Sequence, residues 1–251
     1  MAWSSEVSSV LVADKMTNVL VVESKNDEVF LKTLIEYLNL SHVRFHESPI
    51  CNINKFECME GLDKTRLIGS LKALRRNVPQ EMIRTIGIVL DHDGKPHERM
   101  NLINESIDAV FAPKEPIAKP GEFISAEIKI GNNEVYPLKI ACHLIGVGDG
   151  GELETLLKLI KSKDSTYADC LEGWKRCLEE QQKVLSEKEY VKFWLNNYVR
   201  FDTCSDQEKK QAGRKCSTQA FAYVMENKRD AFDFDHPALD DLKAFLRLFS
   251  S

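Results

Sequence analysis

Acidic residues follow three apolar runs of this chain, and such residues can bind a divalent metal ion. Uninterrupted apolar runs of this kind are typical of parallel strands that are covered on both faces. Because the carboxyl ends of parallel strands meet at one edge of a sheet, we expect the acids to lie close together despite their separation in sequence. They are Glu23 after the first run, Asp91 and Asp93 after the second, and Glu154 after the third.

The chemistry that fits such a group of acids is metal-assisted. Mg²⁺ and Mn²⁺ take oxygen ligands, and clustered carboxylates repel one another unless a cation lies between them. Two ions held there could activate a water and stabilise the leaving oxygen of a phosphodiester. Each acid alone is explained as well by ordinary capping of a helix start. The combination of one strand that ends in Glu and another that ends in Asp-x-Asp-Gly favours the metal site.

Alternating strand and helix patterns up to about residue 163 predict the fold that positions these acids. The pattern is typical of a doubly wound, mostly parallel sheet, so we predict an α/β core over residues 17–163. Residues 164–251 carry helical patterns instead, and we expect them to form a helical C-terminal region that packs on this core. The predicted strands are 17–23, 85–90, 123–130 and 135–147, with a hairpin turn at 131–133 and short strands within 42–50 and 56–59. The predicted helices include 27–39, which Asn26 or Asp27 would cap, 98–111, and a helix that ends near residue 77 after a turn and N-cap at 61–64. Residues 1–16 are expected to be a loosely held start.

Composition excludes several classes of protein. The 251 residues carry a formal net charge of −5, which argues against a generic basic nucleic-acid binder. No apolar run approaches the ~20 residues of a membrane span, and the start lacks the pattern of a signal peptide, so we expect a cytoplasmic protein without membrane contact. The seven cysteines include no C-x-x-C pair, and we expect reduced, mostly buried thiols.

Four segments of the chain resemble the motifs of a known family. The segments Val21–Asp27 (VVESKND) and Leu90–Asp93 (LDHD) resemble the two signatures of Toprim domains, which occur in topoisomerases, primases and OLD-family nucleases. Together with Gly151–Glu154 (GELE) and Phe232–Leu239 (FDFDHPAL), they resemble a bacterial family of Toprim-like proteins of unknown function. The resemblance covers most of residues 18–249. One position departs from the family pattern, because Ser24 stands where the family has glycine.

The resemblance implies a fold, a cofactor and an activity. It implies a Toprim-like core, Mg²⁺ or Mn²⁺ as cofactor, and a nuclease or phosphodiesterase that acts on DNA or RNA, with a role in bacterial anti-phage defence. A second copy of the chain or another protein is expected as a further partner. By resemblance the metal ligands are Glu23, Asp91, Asp93 and Glu154. We predict Glu23, Asp91, Asp93 and Lys25 as the catalytic residues.

Two lysines are candidates for contact with substrate phosphate. Lys25 follows the first acid, and Lys64 lies at a predicted helix start, where backbone N–H groups also favour anions. We predict Lys64 as a substrate-binding residue, although an ordinary solvated lysine explains Lys25 equally well and explains Lys64 better. His92, between the two aspartates, should point away from them on a strand end and pack beside the site.

Three alternatives stay open at this point. Residues 146–151 fit G-x-G-x-x-G, which binds dinucleotides, but this pattern usually follows the first strand of such a fold rather than a late one. Asp91 could instead be a phosphatase-type nucleophile, although that class usually places its D-x-D after the first strand. Finally, the chain could keep the Toprim scaffold without catalysis and bind a nucleotide or a protein.

Three features of the C-terminal region have simpler structural interpretations. We interpret the basic cluster Lys209, Lys210, Arg214 and Lys215 as a solvated helix face. The aromatic stripe Trp174, Phe193 and Trp194 is predicted to be core. Asp235-His236-Pro237 is predicted to cap the last helix, with the proline in its first turn.

Overall fold

The computed structural model describes residues 17–46, 50, 62–130, 134–148 and 151–250. The strands are β1 (Thr17–Val22), β2 (Val43–Phe45), β3 (Ile83–Asp91), β4 (Ile124–Ile130) and β5 (Glu134–Ile145). The helices are α1 (Lys25–Tyr37), α2 (Lys64–Asn77), α3 (Pro96–Phe111), α4 (Leu153–Leu159), α5 (Thr166–Asp169), α6 (Leu171–Glu180), α7 (Glu187–Asn197), α8 (Asp206–Lys209), α9 (Ala212–Lys215), α10 (Phe221–Asn227) and α11 (Asp240–Arg247).

Several predicted features lie outside the described residues. They are the loosely held start 1–16, the short strand 56–59, the turn at Gly61, the hairpin turn 131–133 and Asp149.

The five strands form one mostly parallel sheet in the order β2-β1-β3-β5-β4. β1 pairs in parallel with β2 and with β3, and β3 pairs in parallel with β5. β4 is antiparallel to β5 and forms one edge. The predicted α/β class is therefore confirmed, and the sheet is consistent with a Toprim-like α/β core.

Helices cover both faces of this sheet. Successive residues of a strand point to opposite faces, so each strand supplies side chains to both layers of helices. On one face Leu20 and Val22 pack with α1, α4 and the C-terminal helices, and on the other Val19 and Val21 pack with α2 and α3. All four side chains are buried. This two-sided burial explains why the sequence of β1 is continuously apolar rather than alternating.

The C-terminal region shares its core with the sheet. Phe249 is fully buried, and its carbonyl accepts a hydrogen bond of 2.6 Å from Asn18 Nδ2 on β1. Gly87 on β3 leaves room for this packing, because a Cβ at that position would lie 2.5 Å from Leu20 and 2.6 Å from the Phe249 ring. The domain boundary at residue 163 remains a prediction.

The aromatic stripe and one helical pattern differ from expectation. Trp194 is fully buried, but Trp174 and Phe193 pair with each other and are 41% and 43% exposed, so the prediction of a wholly buried stripe is wrong. The hydrophobic spacing did not distinguish core from a half-exposed aromatic pair. Val184, predicted to be helical, lies 95% exposed between α6 and α7.

The cysteine prediction is also wrong for the pair Cys204 and Cys216. These two residues form a disulfide across 12 positions of the chain. Cys170 and Cys177 are free but exposed, whereas Cys142 is free and buried as expected. A pairing between residues so far apart in sequence has no local motif, so it was not visible from spacing.

None of the helices in the described parts of the chain has the length and apolarity that spanning a membrane requires.

Candidate functional site

Glu23 and Asp91 lie at the carboxyl ends of neighbouring parallel strands. Val22, the last residue of β1, is in register with Val89 of β3, so Glu23 leaves the sheet beside the end of β3. Asp91 is the last residue of β3 and pairs with Ile145 of β5. The sheet therefore brings these two acids to one edge, although 68 positions separate Glu23 from Asp91 in the sequence.

Each of these two acids has a buried oxygen that lacks a partner among the described residues. The atoms are Glu23 Oε2 and Asp91 Oδ1. Burial raises the pKa of Glu23 to about 7, with nearby Asp27 and Asp93 adding to the rise and Arg99 opposing it. Burial also raises the pKa of Asp91 well above its usual range, and the charges of Asp27 and Glu23 raise it further. Buried acceptors without a donor are uncommon, so a proton or a cation is expected at these oxygens.

Asp27 is a third acid at this edge, and the structure corrects its predicted role. Neither Asn26 nor Asp27 is the N-cap of α1, as the sequence suggested; Ser24 is. Ser24 Oγ accepts a hydrogen bond of 3.3 Å from the Asp27 backbone N–H, and Asp27 Oδ2 accepts one of 2.8 Å from the Ser24 N–H. This reciprocal capping box fixes the start of α1.

Asp27 is also part of the electrostatics of the site. Its side chain is buried, and burial raises its pKa to about 6 even though the Ser24 hydrogen bonds oppose the rise. The charge of Glu154 raises the pKa of Asp27 further. Sequence analysis identified Asp27 as a capping candidate and missed this second role.

Asp93 has a different environment from the other acids. It forms an ion pair with Arg99, and its Oδ1 lies 2.7 Å from Lys188 Nζ. Burial alone would raise the pKa of Asp93, but the hydrogen bonds from Lys188 and Arg99 outweigh burial and lower it. Its backbone φ of 48° turns the chain sharply after β3. Asp93 is thus charged and already paired with two cations.

Neither Arg99 nor Lys188 was predicted from the sequence as a partner of Asp93. Arg99 lies in the first turn of α3, only six positions after Asp93, and also donates a hydrogen bond of 3.3 Å to the Leu62 carbonyl. Its position just after the Asp-x-Asp-Gly turn is a local signal that could have identified it. Lys188 comes from α7, 95 residues from Asp93, and no sequence pattern connects the two.

The glycine-containing loop before α4 brings two further acids to this edge. Glu152 stands at the N-cap position of α4 and lies 3.5 Å from Lys188 Nζ, and Glu154 lies in the first turn. Glu154 is close enough for its charge to raise the pKa of Asp91. Glu154, in the first turn of α4, therefore lies within electrostatic reach of the acid cluster.

Gly151 fixes that loop against the turn after β3. The Gly151 carbonyl accepts a hydrogen bond of 3.1 Å from the Asp93 N–H. A Cβ on Gly151 would lie 2.3 Å from Asp93 N, 2.4 Å from Gly94 N and 2.5 Å from His92 Nδ1. His92 is buried beside this contact, and its Nδ1 accepts a hydrogen bond of 3.0 Å from the Gly94 N–H. The packing expected for His92 is observed.

The oxygens of this edge fit a hard divalent cation in type, but they are not assembled around a single point. The two unpartnered oxygens, Glu23 Oε2 and Asp91 Oδ1, are the ligand type that Mg²⁺ and Mn²⁺ take. Within the described residues, no three Asp, Glu, His or Cys side chains are arranged to hold a metal ion. The pairing of Asp93 with Lys188 and Arg99 accounts for one missing ligand.

The two predicted phosphate-binding lysines lie at helix starts and are engaged with acids. Lys25 is the first residue of α1, and its Nζ lies 2.6 Å from Glu28 Oε1. Lys64 is the first residue of α2, and its Nζ lies 2.6 Å from Glu105 Oε2. Both lysine side chains are about half exposed, at 56% and 49%, so both can reach a ligand in solution.

The C-terminal motif has a structural role. His236 Nδ1 accepts a hydrogen bond of 3.1 Å from the Ala238 N–H and so caps a short 3₁₀ turn, Pro237–Leu239, which leads into α11. The N-cap of α11 itself is Leu239, so the prediction that Asp235-His236-Pro237 caps this helix is wrong; His236 caps the turn before it. Asp233 Oδ1 accepts a bond of 2.9 Å from the Asp235 N–H and fixes the preceding turn.

The basic cluster lies on the short helices α8 and α9, between the two cysteines of the disulfide. Lys209 pairs with Asp206 at 3.3 Å, and its Nζ lies 6.0 Å from the centre of the Phe201 ring. Phe221, which follows the cluster in sequence, is buried. Lys210 and Arg214 are exposed, whereas Lys209 and Lys215 are partly buried and lie over the rings of Phe201 and Tyr223.

Fold and site together define a mixed α/β protein with a cluster of acids at the carboxyl ends of a mostly parallel sheet. The chain belongs to the family described as "Protein of unknown function (DUF3226)", whose model matches residues 17–250. No match was found among curated proteins, and none among solved structures. The family description names no activity, so the relation to Toprim domains and OLD-family nucleases remains a prediction.

Proposed function

We propose that this protein is a Mg²⁺- or Mn²⁺-dependent nuclease or phosphodiesterase of the Toprim type that acts on nucleic acid. The observation that carries the proposal is the pair of buried, unpartnered carboxylate oxygens, Glu23 Oε2 and Asp91 Oδ1, at adjacent strand ends. Burying several acids together is unfavourable unless protons or a cation compensate for it. A divalent cation at this edge would do so and would explain why the acids are there.

The proposed ligands are Glu23, Asp91, Asp93 and Glu154, and Glu23 and Asp91 would hold the cation first because their oxygens are free. The cation, when bound, would neutralise charge on a phosphodiester and on its leaving oxygen. The attacking water would lose its proton to a carboxylate oxygen of the cluster that does not hold the cation.

The choice of substrate rests on the motifs. The likeness of the segments around Glu23 and Asp91 to Toprim signatures supports nucleic acid, and the same likeness suggests a cytoplasmic role in bacterial anti-phage defence. Lys25 and Lys64, both half-exposed at helix starts, are the proposed contacts to substrate phosphates. Ser24 does not weaken the proposal, because it caps α1 in place of the family glycine.

A cleavage assay tests this proposal. The protein is incubated with mixed single- and double-stranded DNA and RNA in Mn²⁺, next to Glu23→Ala and to Glu36→Ala, which removes an exposed acid from α1. We expect cleavage by the wild type and by Glu36→Ala, and loss of cleavage in Glu23→Ala. Cleavage that persists in Glu23→Ala would refute the mechanism, and inactivity of the wild type on every substrate would refute the nuclease.

A specific observation favours a second candidate, a non-catalytic scaffold that binds a nucleotide or a protein partner. Asp93 is neutralised by Arg99 and Lys188, so part of the acid cluster is compensated by the protein itself. In this case Glu23 and Asp91, whose pKa values are raised, would carry protons instead of binding a cation. The two candidates differ in the same assay, since the scaffold would cleave no substrate.

A further inference from the structure

Lys188 is the cation that approaches the acid cluster from the C-terminal region. It lies in the first turn of α7, and its Nζ is 2.7 Å from Asp93 Oδ1 and 3.5 Å from Glu152 Oε1. One ammonium group thus bridges the turn after β3 and the start of α4. Both of these segments also carry predicted metal ligands, so Lys188 interacts with the same edge that a metal ion would use.

Arg99 and Lys188 both neutralise Asp93, but they differ in how firmly they are held. The Arg99 side chain is 11% exposed and is held from a second side by the Leu62 carbonyl. The Lys188 side chain is 49% exposed. A lysine side chain has four carbons and a strongly hydrated ammonium, so it can leave a half-exposed ion pair for solvent at low cost. Lys188 is therefore the exchangeable partner of Asp93.

A divalent cation and the Lys188 ammonium would compete for the same oxygens. A cation held by Glu23 and Asp91 would repel the ammonium, and recruitment of Asp93 Oδ1 as a ligand requires that oxygen to leave Lys188. The described parts of the chain contain no three-ligand arrangement for a metal, and Asp93 is held in this ion pair.

We infer that Lys188 is a positioning residue that neutralises the acid cluster in the metal-free protein and must be displaced from Asp93 before a divalent cation binds fully. The inference rests on the proposed metal-dependent function and extends it. The C-terminal region then has a defined effect on the site, because α7 sets the affinity for the cation through one lysine. The affinity of the protein for Mg²⁺ or Mn²⁺ is lower with Lys188 present than without it.

The test is calorimetric titration of Mn²⁺ into the wild type, Lys188→Met, Lys188→Gln and Lys188→Arg. Removing one positive charge roughly 7 Å from a divalent cation in water should tighten binding about five- to tenfold. We expect this lower Kd for the Met and Gln variants and a wild-type Kd for Lys188→Arg, which keeps the charge. Lys209→Met removes an equal charge far along the sequence, at the Asp206 pair, and should leave the Kd unchanged.

The outcomes separate this inference from the function on which it rests. Equal Kd values for the wild type and both neutral variants, or weaker binding by the variants, would refute the role of Lys188 and leave the metal site standing. Absence of Mn²⁺ binding in every folded variant would refute the metal site and the inference together. Thermal melting identifies any variant that fails to fold, and the Met and Gln variants serve as replacements for each other.

Discussion

Replacing Glu23 with glutamine should change how the stability of the protein depends on pH. Burial raises the pKa of this carboxyl from its ordinary 4.5 to about 7 in the folded protein. Between these two values the folded state retains a proton that the unfolded chain has lost. Below about pH 4.5 the burial of Glu23 therefore does not lower the free energy of unfolding through its charge. As the pH rises to about 7, the burial of Glu23 lowers this free energy by an increasing amount.

The size of the effect follows from these two pKa values. At about 1.4 kcal/mol for each pKa unit, the difference between 4.5 and about 7 corresponds to about 3 kcal/mol. About 2.5 kcal/mol of this should appear between about pH 5 and about pH 8. These values are upper limits, because Glu23 is partly accessible to solvent and water reduces the cost of its charge.

Urea unfolding at the two pH values measures the effect. At each pH, the free energy of unfolding of the wild type is subtracted from that of Glu23→Gln. The result should be up to about 2.5 kcal/mol larger at about pH 8 than at about pH 5. The measurements must be made in chelator, since a bound cation would hold Glu23 charged. Glu36→Gln, which replaces an exposed acid on α1, provides the control and should show no such change.

A constant difference between variant and wild type at both pH values would refute the reasoning. It would mean that Glu23 is ionised in the folded protein without cost. The buried Oε2 would then have a cationic partner that the described residues do not supply.

Three further predictions concern the groups that position the site. Gly151→Ala should destabilise the protein by about 1–3 kcal/mol in urea unfolding, because the new methyl group would overlap backbone atoms. The control Gly173→Ala should not destabilise the protein, because the space around Gly173 in α6 is open. Ser24→Ala should lower the free energy of unfolding by about 1 kcal/mol through loss of the cap, and Ser24→Gly by only a few tenths. The disulfide between Cys204 and Cys216 should contribute about 2–3 kcal/mol, so a reductant should lower the Tm of the wild type and not that of the double serine variant.

The fold could be predicted from sequence where a pattern is local. The continuous apolar sequence of β1 and β3 indicated two-sided burial, and helices on both faces are what the structure contains. The helix from Lys64 was also predicted from its apolar stripe and from Asp63, whose Oδ1 accepts from the Arg66 N–H as an N-cap. Each of these features depends on residues that are neighbours in the sequence, so a local pattern is enough to predict it.

Features that depend on distant residues were missed. Hydrophobic spacing could not show that Trp174 and Phe193 would pair with each other and stay half-exposed. The disulfide and the Lys188 ion pair each join residues with no shared motif.

Within the site, sequence order predicted that Glu23 and Asp91 would reach one edge, because the carboxyl ends of parallel strands meet there. Sequence order could not predict that Asp93 would form ion pairs with Arg99 and Lys188. That turn depends on the backbone after β3, where Asp93 has a positive φ and Gly151 packs against it.

The central claim is that the acids at the ends of β1 and β3 form a divalent-cation site, and Mn²⁺ binding to Asp91→Asn tests it most directly. Asparagine keeps the size of the side chain and removes the charge at the buried, unpartnered oxygen. We predict that calorimetry detects Mn²⁺ binding to the wild type and at least tenfold weaker binding to the variant, since one lost carboxylate ligand should cost more than about 1.4 kcal/mol. Equal binding by the two proteins, or no binding by the wild type, would contradict the claim.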